Sequence, residues 1–114
     1  MALSDITLKI AEPAISSYCK SRSPEKLKDQ IRITYKIRGN SITIYEERVY
    51  FKYSSKWSKS QVAQFKFDDK SLKWELFCSD RNLKWHSYME TYPERDITKL
   101  LKEVDEDPTG IFWG

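Results

Sequence analysis

The sequence predicts an α+β domain: an N-terminal helix, a five-stranded antiparallel meander forming a curved sheet, and a C-terminal helix whose apolar tail packs back on the core. Three observations predict it. Apolar residues recur at helical spacing near both ends, strict alternation fills the middle, and Gly-Asn, Asp-Asp-Lys-Ser and Ser-Asp-Arg-Asn provide short turns between the alternating runs. Consecutive strands on short links pair as antiparallel neighbours, and the flanking helices are expected to cover one face of the sheet. The whole chain, 114 residues, is the size of one domain with one core.

The first helix is expected from about Ser4 to Arg22, with Ser4 or Asp5 as its cap and Leu8, Ala11, Ile15, Tyr18 and Cys19 on one side. Pro13 lacks a backbone donor and crowds the preceding turn, which predicts a kink or a fresh start near Glu12. Ser23-Pro24-Glu25 then reads as a cap and a short turn.

In Ile31–Arg38, isoleucines and Tyr35 alternate with Arg32, Thr34, Lys36 and Arg38, the pattern of a strand with one buried face. Gly39-Asn40 is a two-residue hairpin signal. That turn sets the register, opposing Arg38 to Ser41, Ile37 to Ile42, Tyr35 to Ile44 and Ile33 to Glu46. The last pairing puts a carboxylate on an apolar face. A bulge in the second strand would turn Glu46 outward and bring Val49 and Phe51 inward.

Residues 51–60 read as a polar, basic loop with aromatic shoulders. A third strand follows with Ala63, Phe65 and Phe67, a fourth with Trp74, Leu76 and Cys78, and a fifth over residues 83–89. Ile97, Leu100, Leu101 and Val104 mark the last helix, capped by Asp96 and stopped at Asp107-Pro108. Pro108-Thr109-Gly110 can reverse the chain and lay Ile111, Phe112 and Trp113 on the core; the alternative is a terminal peptide displayed to a partner.

Composition narrows function mostly by exclusion. Apolar residues are 39% and charged residues 32%, as in globular proteins, and the sixteen aromatics (Trp 4, Tyr 7, Phe 5) favour strands. No signal-peptide pattern and no membrane-length apolar run occurs, so a cytoplasmic protein without membrane contact is expected. Cys19 and Cys78 are then two reduced, buried thiols rather than a bridge. One histidine, His86, provides no multi-imidazole zinc site. With no glycine-rich phosphate loop, GxSxG elbow, paired CxxC or HExxH, no cofactor is expected.

The net charge of +3 conceals a split. Residues 1–66 hold 13 Lys/Arg against 6 Asp/Glu, or +7, and residues 67–114 hold 7 against 11, or −4. Such asymmetry permits either a basic patch or neutralisation between the halves. The polar side of the first hairpin carries Arg32, Lys36, Arg38 and Tyr45, and the basic segment adds Lys52, Lys56, Trp57 and Lys59. Cations interleaved with aromatics suit phosphate attraction and base stacking, although Glu47 opposes Arg32 in the same register.

The runs Q-I-R-I-T-Y-K-I-R-G-N-S-I-T-I-Y-E-E-R, A-Q-F-K-F-D, W-E-L-F and W-H-S-Y, with the ending E-V-D-E-D-P-T-G-I-F-W-G, resemble a family of small, mostly bacterial proteins known as domain of unknown function number 3024. The resemblance covers nearly the whole chain. It implies one compact domain of this length and brings no activity, cofactor or catalytic residue with it.

The sequence therefore points first to a non-catalytic binding module that offers a basic, aromatic sheet face to nucleic acid or an acidic protein. A small hydrolase using Glu46 with Asp80 or His86 is the catalytic alternative, and it requires those side chains to share a pocket. Association through an edge strand or through the C-terminal tail is the third reading.

Overall fold

The computed structural model describes residues 3–27, 29–50 and 53–113. Its elements follow the predicted order: α1 (Asp5–Arg22), a 3₁₀ turn (Glu25–Leu27), β1 (Ile31–Arg38), β2 (Ser41–Tyr50), β3 (Tyr53–Asp68), β4 (Lys73–Ser79), β5 (Trp85–Ser87) and α2 (Ile97–Glu106). The strands form one antiparallel sheet in the order β1-β2-β3-β4-β5. Among the described residues no helix is long and apolar enough to cross a membrane.

Helix α1 starts on Ser4, whose Oγ accepts from the Thr7 amide at 3.2 Å. Pro13 does not interrupt it: the helix is continuous over 18 residues. Pro13 and Lys9 are both exposed, so the Lys9 carbonyl left without its helical donor can be met by water. Ala11, Ile15 and Cys19 form the buried stripe.

The first hairpin has the predicted register, including Ile33 opposite Glu46. Gly39 alone of the turn pair has positive φ, 58°, the pattern of a type II′ turn. The expected bulge lies on the other side of β2. Pairing of β2 with β3 shifts between Ile44–Ala63 and Tyr45–Gln61, which makes Val62 the extra residue on β3 and leaves β2 regular against β1. Val62 and Ala63 are consequently buried in succession.

Residues 53–60 of the expected loop are instead the first half of a 16-residue strand, and Phe51 and Lys52 lie outside the described residues. Lys59 pairs with Glu47 and Trp57 with Val49. Periodicity is hard to read here because β4 begins pairing only at Gln64, so among the described residues this half of β3 has no second neighbour, and its sequence is rich in serine (Ser54, Ser55, Ser58 and Ser60). The fifth strand is shorter than its alternation suggests. Leu83 adopts φ 63° in the preceding turn, and after Ser87 the chain turns Tyr88 into the core.

One cluster contains the core. Ile33, Ile42, Ile44, Ala63, Phe65, Trp74, Leu76 and Cys78 from a single sheet face meet Ala11, Ile15 and Cys19 of α1 and Ile97, Leu100, Leu101 and Val104 of α2. Both cysteines are free and buried, as expected; burial pushes the Cys19 thiol up to about 12.

The C-terminal segment closes this core. Asp107 ends α2 with a left-handed backbone (φ 46°), and its carboxylate accepts the amides of Phe112 at 3.0 Å and Trp113 at 2.8 Å. The Trp113 indole donates to the Val104 carbonyl at 3.1 Å, satisfying one orphan acceptor at the helix end. Phe112 packs on Tyr88 at 4.9 Å between ring centroids, and the Arg22 guanidinium covers Trp113 at 4.3 Å. Ile111, grouped with these residues in the sequence reading, is 47% exposed.

Phe112→Ala is expected to lower unfolding free energy by about 3–5 kcal/mol, against under about 0.5 for Ile111→Ala, measured by urea denaturation. Equal costs would mean that the segment acts through something other than burial of Phe112.

Candidate binding face

Because both helices sit on the apolar side, the alternate residues of every strand emerge on an uncovered face. The registers arrange them in rows. Arg38, Ser41, Lys66 and Glu75 form one row, Lys36, Thr43, Gln64, Phe77 and Ser87 the next, and Thr34, Tyr45 and Gln61 a third. Arg32, Glu47 and Lys59 follow, and Val49 with Trp57 ends the series toward the tip of the long hairpin.

Three cations on this face lie over aromatic rings: Arg32 over Trp57 at 4.0 Å, Lys59 over Tyr45 at 4.3 Å and Lys66 over Phe77 at 4.8 Å. Each exposed contact of this kind is worth about 0.5–1 kcal/mol, enough to bias a long side chain toward one place. Charge is thereby held close to the sheet instead of sweeping through solvent. Lys36 and Arg38 are exposed at the β1 edge and have no side-chain partner among the described residues. Lys56 is exposed, and Lys52 lies outside the described residues.

Glu47 interrupts the positive surface. It is 13% exposed and accepts from Arg32 Nη2 at 2.9 Å, Arg32 Nε at 3.1 Å and Thr34 Oγ1 at 2.7 Å. Burial pushes its carboxyl upward, but these hydrogen bonds and the charges of Arg32 and Lys59 outweigh that and hold it below the ordinary carboxylate range. Glu47 orients the Arg32 guanidinium on Trp57. At the centre of the face Gln64 donates to Thr43 at 3.0 Å, while its Oε1 is buried without a partner.

The catalytic grouping is not assembled. Glu46 lies on the core side of β2, 24% exposed and paired to Arg48 at 3.0 Å, and lines a small hollow of about 230 Å³ with Arg22, Pro24, Ile31, Ile33, Arg48 and Trp113. Asp80 and His86 are at the far end of the sheet, where β5 pairs β4. Three strand spacings separate β2 from β5, about 14 Å. His86 Nε2 does meet Asp80 Oδ2 at 2.6 Å, but Asp80 also accepts the amides of Asn82 and Lys84, so the pair fastens a surface turn. Those backbone bonds, that from Lys84 first, and the His86 contact hold the Asp80 carboxyl low. Among the described residues no group of acidic, His and Cys side chains could hold a metal ion.

A family model described as Domain of unknown function (DUF3024) matches residues 3–114. The chain belongs to this family. No curated protein and no solved structure matches it. Membership in the DUF3024 family brings no site residues, so the candidate face rests on geometry. Sequence reading placed Arg32, Lys36, Arg38 and Tyr45 on this face, put Trp57 and Lys59 in an adjoining loop, and missed Lys66 and Phe77. Their signal was available: Lys66 alternates with buried Phe65 and part-buried Phe67, and Phe77 with Leu76 and Cys78.

Glu47→Gln is expected to flatten the acid side of the stability curve. A carboxylate whose folded pKa is depressed contributes fully above its unfolded value and loses that contribution as pH falls through the lower, folded one. Thermal unfolding from pH 7 downward should therefore show wild type losing its advantage over Glu47→Gln below about pH 4, and a constant difference would contradict this role.

Proposed function

We propose that this chain is a non-catalytic binding module whose uncovered sheet face receives single-stranded nucleic acid. The observation that carries the reading is the set of three cation–aromatic pairs on one face, with Lys36 and Arg38 beside them. Phosphates seek the cations, and bases stack on aromatic rings or on the outer plane of a ring-stacked guanidinium. An acidic protein could use the charge but has less use for the half-buried rings beneath it. Two reduced, buried thiols fit a cytoplasmic setting.

Fluorescence anisotropy with a labelled oligothymidylate of about 12 nucleotides tests the reading. Micromolar-range binding is expected at low salt, with log K falling against log salt at a slope of about −2 to −3 for three or four neutralised phosphates. Trp57→Ala should weaken binding by about 1–3 kcal/mol, and Lys36→Glu with Lys66→Glu should lower both affinity and salt slope. Equal affinity for polyglutamate would transfer the face to an acidic protein, and absence of binding at low salt would end the reading.

A further inference from the structure

The outer edge of β1 pairs with no other strand of the sheet. Backbone groups of alternate residues in β1 point away from β2, and the Ile33 amide shows which set does so: it donates outward to Ser23 Oγ at 3.0 Å. Ile31, Tyr35 and Ile37 share that direction. The amides of Tyr35 and Ile37 have no partner among the described residues. Two hollows of about 550 and 530 Å³ follow the seam between α1 and this edge, meeting at Ser16 and Tyr35. Cys19, Pro24 and Ile33 contribute to one, Leu8 and Pro13 to the other.

We propose that this edge accepts an extended peptide with alternating acidic and apolar residues as a sixth, antiparallel strand. Its backbone would take up the Tyr35 and Ile37 groups. Its apolar residues, all on one side by the two-residue period, would enter the hollows between α1 and β1. Its acidic residues would emerge on the opposite side next to Lys36 and Arg38, cations that no residue of the described chain neutralises.

Charge selects this occupant over a second copy. Antiparallel self-pairing centred on Thr34 opposes Arg32 to Lys36, and centring on Tyr35 opposes Arg32 to Arg38; like charges face each other either way. Elsewhere the half of β3 before Gln64 carries Lys56 and Lys59 among serines, and β5, the opposite edge strand, is only 3 residues long; both features discourage strand addition. Residues 31–38 instead alternate isoleucine and tyrosine with their cations.

The test is a ¹⁵N NMR titration of the full chain with a capped Glu-Val alternating octapeptide, beside a block Glu/Val isomer and a Lys-Val alternating peptide. The Tyr35 and Ile37 amides should shift and gain exchange protection with the first peptide only, and N-methylation of its strand-facing amides should abolish the effect. Lys36→Glu should weaken binding about fivefold. Ser16→Trp, which fills the seam but lies off the open face, should block the peptide while sparing oligothymidylate. Equal response to the block isomer, shifts confined to the open face around Trp57 and Lys59, or a concentration-dependent dimer protecting the same amides would each overturn the proposal.

Discussion

One constraint governs the molecule: the sheet's apolar side chains all need cover on the same face. Ile42, Ile44, Ala63, Phe65 and Leu76 are essentially inaccessible, and α1 and α2 both lie against them. Each of the larger ones gains roughly 1.5–3 kcal/mol from leaving water, more than an exposed ion pair contributes. The period of two then leaves no choice for the residues between them. Cations and aromatics of the alternate set emerge on the open face because their neighbours are buried.

The same constraint explains the C-terminal segment. Two helices on a five-stranded sheet leave an apolar gap at the end of α2, between Tyr88 and the C-terminal turn of α1. Phe112 fills it, and Trp113 extends the cover toward Arg22. Asp107 is central to this closure. It ends the helix in a left-handed conformation and uses both carboxylate oxygens to hold the returning chain, so one residue performs stop, turn and clasp.

Charge is sorted by the fold rather than simply cancelled. Part of the excess positive charge in the first 66 residues is neutralised locally, by Glu47 on Arg32 and by Asp105 of α2 on Arg22 at 3.4 Å. Arg32, Lys36, Arg38, Lys59 and Lys66 lie on the open face, while Glu103, Asp105 and Glu106 sit on α2, across the core from it. Glu103 and Asp105 also accept from Tyr88 at 2.7 Å and Tyr18 at 3.4 Å. Burial is the main reason that the Tyr18 phenol is pushed up to about 12. Acidic residues near α2 thus serve packing, and the face opposite stays positive.

By itself the sequence determined the element order, both helix caps, the hairpin register down to Ile33 opposite Glu46, and the burial of Phe112, because each follows from local periodicity, a turn signal or a stop signal. It also placed Arg32, Lys36, Arg38 and Tyr45 on one side of the first hairpin. Only the tertiary structure decided that residues 53–60 are a strand, since their order comes from pairing with β2 and not from their own polar composition. Only it showed that Pro13 leaves α1 unbroken, that the bulge belongs to β3, and that Glu46 is far from Asp80 and His86. The difference is physical: alternation is written along the chain, whereas which partner supplies a hydrogen bond, and which three side chains meet, depends on strands distant in sequence being brought together.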